Sequence, residues 1–69
     1  NAVTAPLPGR VIELKVKVGD TVKANDEVLV LEAMKMENVI AATQDGKITA
    51  IKVNKGDSIL EGADIVVIG

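Results

Sequence analysis

The 69-residue sequence contains no cysteine, no histidine and no phenylalanine, tyrosine or tryptophan. Each absence removes a class of chemistry. Without cysteine no disulfide can brace the chain, and without Cys or His there is no ligand set for a structural zinc. Chains below about 70–80 residues normally lean on one of these supports. The core must therefore come from tightly packed Val, Ile, Leu and Ala. A Ser-His-Asp triad, a thiol nucleophile and an imidazole base are excluded as well. With no aromatic ring there is no stacking platform for single-stranded nucleic acid. Eight Lys+Arg against ten Asp+Glu give a net charge of −2, so no phosphate-neutralising surface is expected and nucleic acid is not a partner. No apolar run approaches the roughly 18 residues of a membrane-spanning helix, so no direct membrane insertion is expected, and no signal-peptide pattern is present. The chain opens at Asn1 rather than Met, and the expectation is one domain, residues 1–69, forming the C-terminal fragment of a longer chain. A carrier or binding module is favoured over a self-contained enzyme.

What is present alternates. Ile12, Leu14, Val16 and Val18 interleave with Glu13, Lys15 and Lys17, and this period of two predicts a half-buried strand over 12–18. Val28-Leu29-Val30-Leu31 and Ile65-Val66-Val67-Ile68 are apolar runs of strand length,. Ile48, Ile51 and Val53 belong to a further strand with Lys47 and Lys52 between them. The one helix-like stretch, Glu32–Glu37, is too short to stand alone. Turn signals separate these runs: Pro8-Gly9, Gly19-Asp20, Asn25-Asp26, Asp45-Gly46, Gly56-Asp57 and Gly62,. Gly9, Gly19, Gly46 and Gly56 are read as structural. Such punctuation predicts an all-β sandwich or barrel.

The sequence also repeats itself. Shifting it by 37 positions lays residues 1–32 on 38–69, and eight of the 32 pairs are identical: Asn1/Asn38, Ala5/Ala42, Gly9/Gly46, Lys15/Lys52, Val16/Val53, Gly19/Gly56, Asp20/Asp57 and Val30/Val67. Conservative pairs such as Arg10/Lys47, Val28/Ile65 and Leu31/Ile68 fall in the same register. Two copies of one supersecondary unit, related by a pseudo-two-fold axis, would each cover the other's apolar face. The reading is a flattened β-barrel or sandwich of two similar sheets with adjacent termini.

The repeat isolates what is not repeated. Ala33-Met34-Lys35-Met36-Glu37 has no partner and joins the two copies. A short connection between strands is a hairpin, so Lys35 is expected at an exposed tip. That tip has no Gly or Asn, so a two-residue turn would force positive φ on ordinary side chains. A strained tip without the usual turn residues points to a sequence held for another purpose.

Glu32-Ala33-Met34-Lys35-Met36 resembles the attachment motif of biotinyl domains, the biotin carboxyl carrier family. Ala5-Pro6-Leu7-Pro8-Gly9 is similar to the family's opening segment, with Leu7 where Met is usual, and Gly19-Asp20-Thr21-Val22 is similar to its first turn. Lys35 stands 34 residues from the C-terminus, which is the family spacing. Ala42-Thr43 departs from relatives that carry Pro there, which affects a connecting segment and not the attachment motif.

The resemblance implies a barrel-sandwich hybrid of two pseudo-two-fold-related four-stranded sheets. It implies covalent biotin on Lys35, placed there by a biotin-protein ligase from biotinyl-adenylate. Glu32, Ala33, Met34 and Met36 would then be the motif read by the ligase or other partners. The other partners implied are biotin carboxylase and a carboxyltransferase or decarboxylase, as domains or subunits, and the module itself catalyses neither step. Met34 and Met36 could instead simply cover apolar hairpin surface. Glu37 and the remaining lysines read as solvated charges. The path from Val16 to Val28 matches Val53–Ile65 without insertion, so the extra "thumb" loop of bacterial acetyl-CoA carboxylase carriers is absent. The expected parent is an acyl-CoA or oxo-acid decarboxylase, a transcarboxylase or a pyruvate carboxylase-type enzyme. The expected location is cytoplasmic, reaching the membrane only through a partner subunit, or mitochondrial in a eukaryote. Two alternatives stand beside this reading: a lipoyl carrier, whose relatives usually place Asp before the Lys, and an unmodified β-barrel assembly module.

Overall fold

The computed structural model describes residues 2–69. Asn1, and with it the Asn1/Asn38 pair, lies outside the described residues. The strands are β1 (Ala2–Thr4), β2 (Gly9–Leu14), β3 (Thr21–Val22), β4 (Glu27–Ala33), β5 (Met36–Ala41), β6 (Gly46–Ile51), β7 (Ser58–Ile59) and β8 (Asp64–Ile68). They form two antiparallel four-stranded sheets, ordered β1-β8-β6-β3 and β5-β4-β2-β7. The helix-like stretch Glu32–Glu37 runs instead as the end of β4, a two-residue turn and the start of β5.

The 37-residue shift carries β2 onto β6 and β3 onto β7. It likewise superposes β1 on the second half of β5, and β4 on β8, so that one sheet order becomes the other. The correspondence reaches the irregularities. The register slips between Val11 and Glu13 where β2 meets β4, and between Ile48 and Ala50 where β6 meets β8. Asp20 and Asp57 occupy equivalent turns, where their carboxylates accept backbone N–H bonds from Lys17 and Asn54 at 3.0 and 2.9 Å. Asn25 and Gly62, also equivalent, both adopt left-handed backbone, at φ 77° and 85°. The chain ends meet, with Ala2 opposite Val67.

Leu29, Leu31, Ile48, Ile65, Ile68, Val11, Val28 and Val66 are the largest fully buried side chains, and among the described residues no polar or charged side chain is buried. This explains why β4 reads as an unbroken Val-Leu-Val-Leu run. It is an interior strand of its sheet, and the four consecutive residues Val28 to Leu31 are all buried, so both of its faces are enclosed.

One expectation needs correction. The strand predicted over 12–18 begins at Gly9 and ends at Leu14, and Val11 rather than Ile12 is fully buried. Val18 is 61% exposed. The cause is the bulge: the step from Val11 to Glu13 opposes a single step from Leu31 to Val30, so Ile12 is the extra residue,. An extra residue breaks the alternation of faces. Beyond Leu14 the chain leaves the sheet for the Asp20-braced turn.

Candidate functional site

Strands β4 and β5 pair in register up to Glu32 opposite Glu37 and Ala33 opposite Met36. Only Met34 and Lys35 remain to turn the chain. Both lie in the left-handed region, at φ 53° and 64°. Two consecutive left-handed residues make the turn whose twist matches the flanking strands, and Asn-Gly is the pair that normally builds it. Neither Met nor Lys is a preferred left-handed residue, and such a conformation costs an ordinary side chain on the order of 1 kcal/mol or more.

The tip projects its side chains into solvent. Met34 is 91% exposed and Met36 67% exposed, and Lys35 is exposed with them. Of these residues Ala33 alone is buried, at 6% exposure. Among the described residues the ion pairs are those of Lys15 with Glu13 at 3.2 Å and with Glu27 at 3.9 Å. Lys35 takes part in neither, so its amine is held by no carboxylate. On β5 the Asn38 side-chain amide donates to the Met36 carbonyl at 3.3 Å. This occupies a main-chain acceptor beside the tip, on a strand that forms the outer edge of its sheet,.

All five residues singled out in the sequence, Glu32, Ala33, Met34, Lys35 and Met36, thus belong to one hairpin. Four face solvent and Ala33 serves the fold. Two further charged residues stand beside them. Arg10 on β2 lies opposite Glu32, which itself lies opposite Glu37. Lys55 arrives through the turn before β7, where Gly56 N–H donates to the Val11 carbonyl at 2.8 Å. Arg10, Glu32, Glu37 and Lys55, with Val11, Ile12 and Gly56, line an open groove of about 360 Å³. Sequence reasoning missed Arg10 and Lys55 because strand register, not chain distance, makes them neighbours of Glu32.

The strain at the tip is testable. Met34→Asn should stabilise the domain by about 0.5–1 kcal/mol, since Asn tolerates left-handed backbone. For a domain of this size that is a rise in Tm of a few degrees, read by calorimetry. A fall in Tm would show that the Met34 side chain supports the hairpin more than its backbone strains it.

The chain matches a family model described as "Biotin-requiring enzyme" over residues 1–68. It is 43% identical over 68 residues to the biotin carboxyl carrier protein of Streptococcus mutans, covering 99% of this chain and 52% of the relative. It is 53% identical over 60 residues to the pyruvate carboxylase of Staphylococcus aureus, covering 87% of this chain and 5% of that enzyme. The crystal structure of the Kluyveromyces lactis urea carboxylase superposes with a TM-score of 0.93 at 36% sequence identity, over all of this chain and 6% of that one. The chain therefore spans about half of the first relative and a small part of the others.

Proposed function

The chain belongs to the family of biotin-requiring enzymes, and from that premise we propose that it is a carboxyl carrier domain bearing biotin in amide linkage on Lys35. The observation that carries this reading is the placement of a lysine at the exposed apex of a strained turn, within Glu-Ala-Met-Lys-Met, at the joint of two otherwise matching halves. The residues suit the group. An amide can form only on an amine that a ligase can surround, and a two-residue tip offers that on every side.

In loading, the Lys35 nitrogen attacks the acyl carbon of biotinyl-adenylate, AMP departs, and the amine loses its proton. Acylation needs the free amine, and among the described residues no carboxylate is within ion-pair distance of the Lys35 amine. Deprotonation therefore falls to the biotin-protein ligase. Met34 and Met36 flank the amine with two flexible apolar side chains for that enzyme to grip, and Glu32 adds a charge to the same surface. Held on Lys35, biotin would supply a carrier for a carboxyl group between two active sites. The domain supplies a rigid handle and a tethered arm, so delivery depends on an effective concentration of millimolar order instead of free diffusion.

The partners proposed are the biotin carboxylase and carboxyltransferase parts of a larger enzyme; the names of the relatives support a carboxylase. The short β2–β3 connection supports a parent of pyruvate carboxylase type. A decarboxylase or transcarboxylase parent is proposed beside it on the same ground. A lipoyl carrier is disfavoured by Met34, which stands where Asp is usual, and by the biotin-dependent relatives.

Incubation with biotin-protein ligase, ATP and biotin should add one biotinyl group by intact mass, and peptide mapping should place it on Lys35. Label on Lys52, or no label from a ligase that modifies a control carrier, overturns the assignment. Label with lipoate in its place supports the alternative carrier.

A further inference from the structure

The groove beneath the tip has a composition that the attachment chemistry does not require. Arg10, Glu32, Glu37 and Lys55 bring two cations and two carboxylates to one rim. Arg10 and Glu32 are direct cross-strand neighbours, yet none of the four joins an ion pair among the described residues. Their donors and acceptors are left to solvent or to a ligand. Between them the half-buried Ile12 and the buried Val11 supply an apolar floor. Gly56 contributes no side chain, and its position is open, with no atom within 4 Å of where a Cβ would stand.

We infer that this groove is a resting site for the biotinyl head group of the domain's own arm, an inference that rests on biotin being carried by Lys35. The match is one of functional groups. The ureido ring has one carbonyl acceptor and two N–H donors. Guanidinium and ammonium groups donate to the former, and carboxylates accept from the latter. The sulfur-containing ring and its alkyl chain are apolar and suit Ile12. Reach is sufficient. Ile12 lies at the level of Leu31 and Val30, four to five residues back from Lys35 along the hairpin, or about 13–16 Å of strand. The arm from Cα to the ring is about eleven bonds, on the order of 14 Å when extended, and the bicyclic ring adds a few ångströms more.

The tether makes weak affinity enough. At an effective concentration of millimolar order, a millimolar Kd leaves about half of the arms docked. Such an arm is shielded between visits and still released within the lifetime of an encounter. All the polar walls are exposed, which keeps the affinity in this low range.

Backbone amide NMR spectra of the 69-residue chain in three forms test the inference: unmodified, acetylated at Lys35 and biotinylated at Lys35. Acetylation removes the same charge without adding a ring. The Ile12 and Gly56 amides should shift in the biotinylated form alone, with nuclear Overhauser contacts between ring protons and the Ile12 methyls. Arg10→Ala combined with Lys55→Ala should reduce those shifts several-fold while the shifts at the tip persist. The single Lys55→Ala variant should give an intermediate reduction. Biotinylated protein with shifts confined to the tip, or groove shifts equal in the acetylated form, overturns the resting site and leaves the attachment intact. A chain that takes no biotin on Lys35 overturns both.

Discussion

Lys35→Arg should abolish biotin incorporation completely and leave the melting temperature within about a degree of the parent. The stability half of this expectation follows from the site. Residue 35 is exposed, takes no part in an ion pair among the described residues and turns the chain with φ 64°. Arginine keeps the charge and the long stem and meets the same backbone cost as lysine. The chemical half follows from the nucleophile. A guanidinium does not give up its proton in a protein and presents no free amine to an acyl-adenylate. Six lysines remain, Lys15, Lys17, Lys23, Lys47, Lys52 and Lys55, and none of them occupies a two-residue hairpin tip between methionines. Intact mass and streptavidin blotting after ligase treatment read the first half, and calorimetry the second. Residual label at any of the six would show that the ligase selects an exposed amine and not the tip.

The same tip shows how far the sequence could be read. Two left-handed residues were legible in spite of the missing Gly and Asn, because the 37-residue repeat left room only for a short turn. Asn25 and Gly62 were legible as turn residues by type, and their left-handed backbone was not. Nor was the bulge at Ile12. Val11 and Ile12 are equally apolar, so alternation alone cannot say which one faces the core; the partner strand decides. A clue did exist, since Val18 is repeat-related to Lys55, and a position that accepts lysine in one copy is a poor candidate for the core in the other. The Arg10–Glu32–Glu37–Lys55 cluster had no such clue. It is assembled from three segments by strand register and by the Gly56–Val11 hydrogen bond, and no local pattern encodes it.

Leu31→Ala should destabilise the domain by about 2–5 kcal/mol, a large share of the several kcal/mol expected for roughly 70 residues. Leu31 is fully buried, and it sits one residue before the attachment motif. Its neighbour Gly9 explains why β2 can approach β4 closely beneath the tip. A Cβ on Gly9 would stand 2.5 Å from the Glu32 carbonyl oxygen and 2.9 Å from Leu31 Cγ. Gly9→Ala should therefore cost about 1–3 kcal/mol through overpacking. The two contacts differ in kind. Truncating Leu31 removes the second, so the double variant should be more stable than the sum of the single losses predicts, by about 0.5 kcal/mol or more. The first contact is with main chain at the Arg10–Glu32 pair, and no side-chain change relieves it. The double variant should accordingly remain less stable than Leu31→Ala alone. Urea denaturation of the four proteins measures both inequalities. Strict additivity would show that β2 shifts away from β4 as a unit. In that case biotin loading should fall as well, because β2 supports the strand that carries the tip.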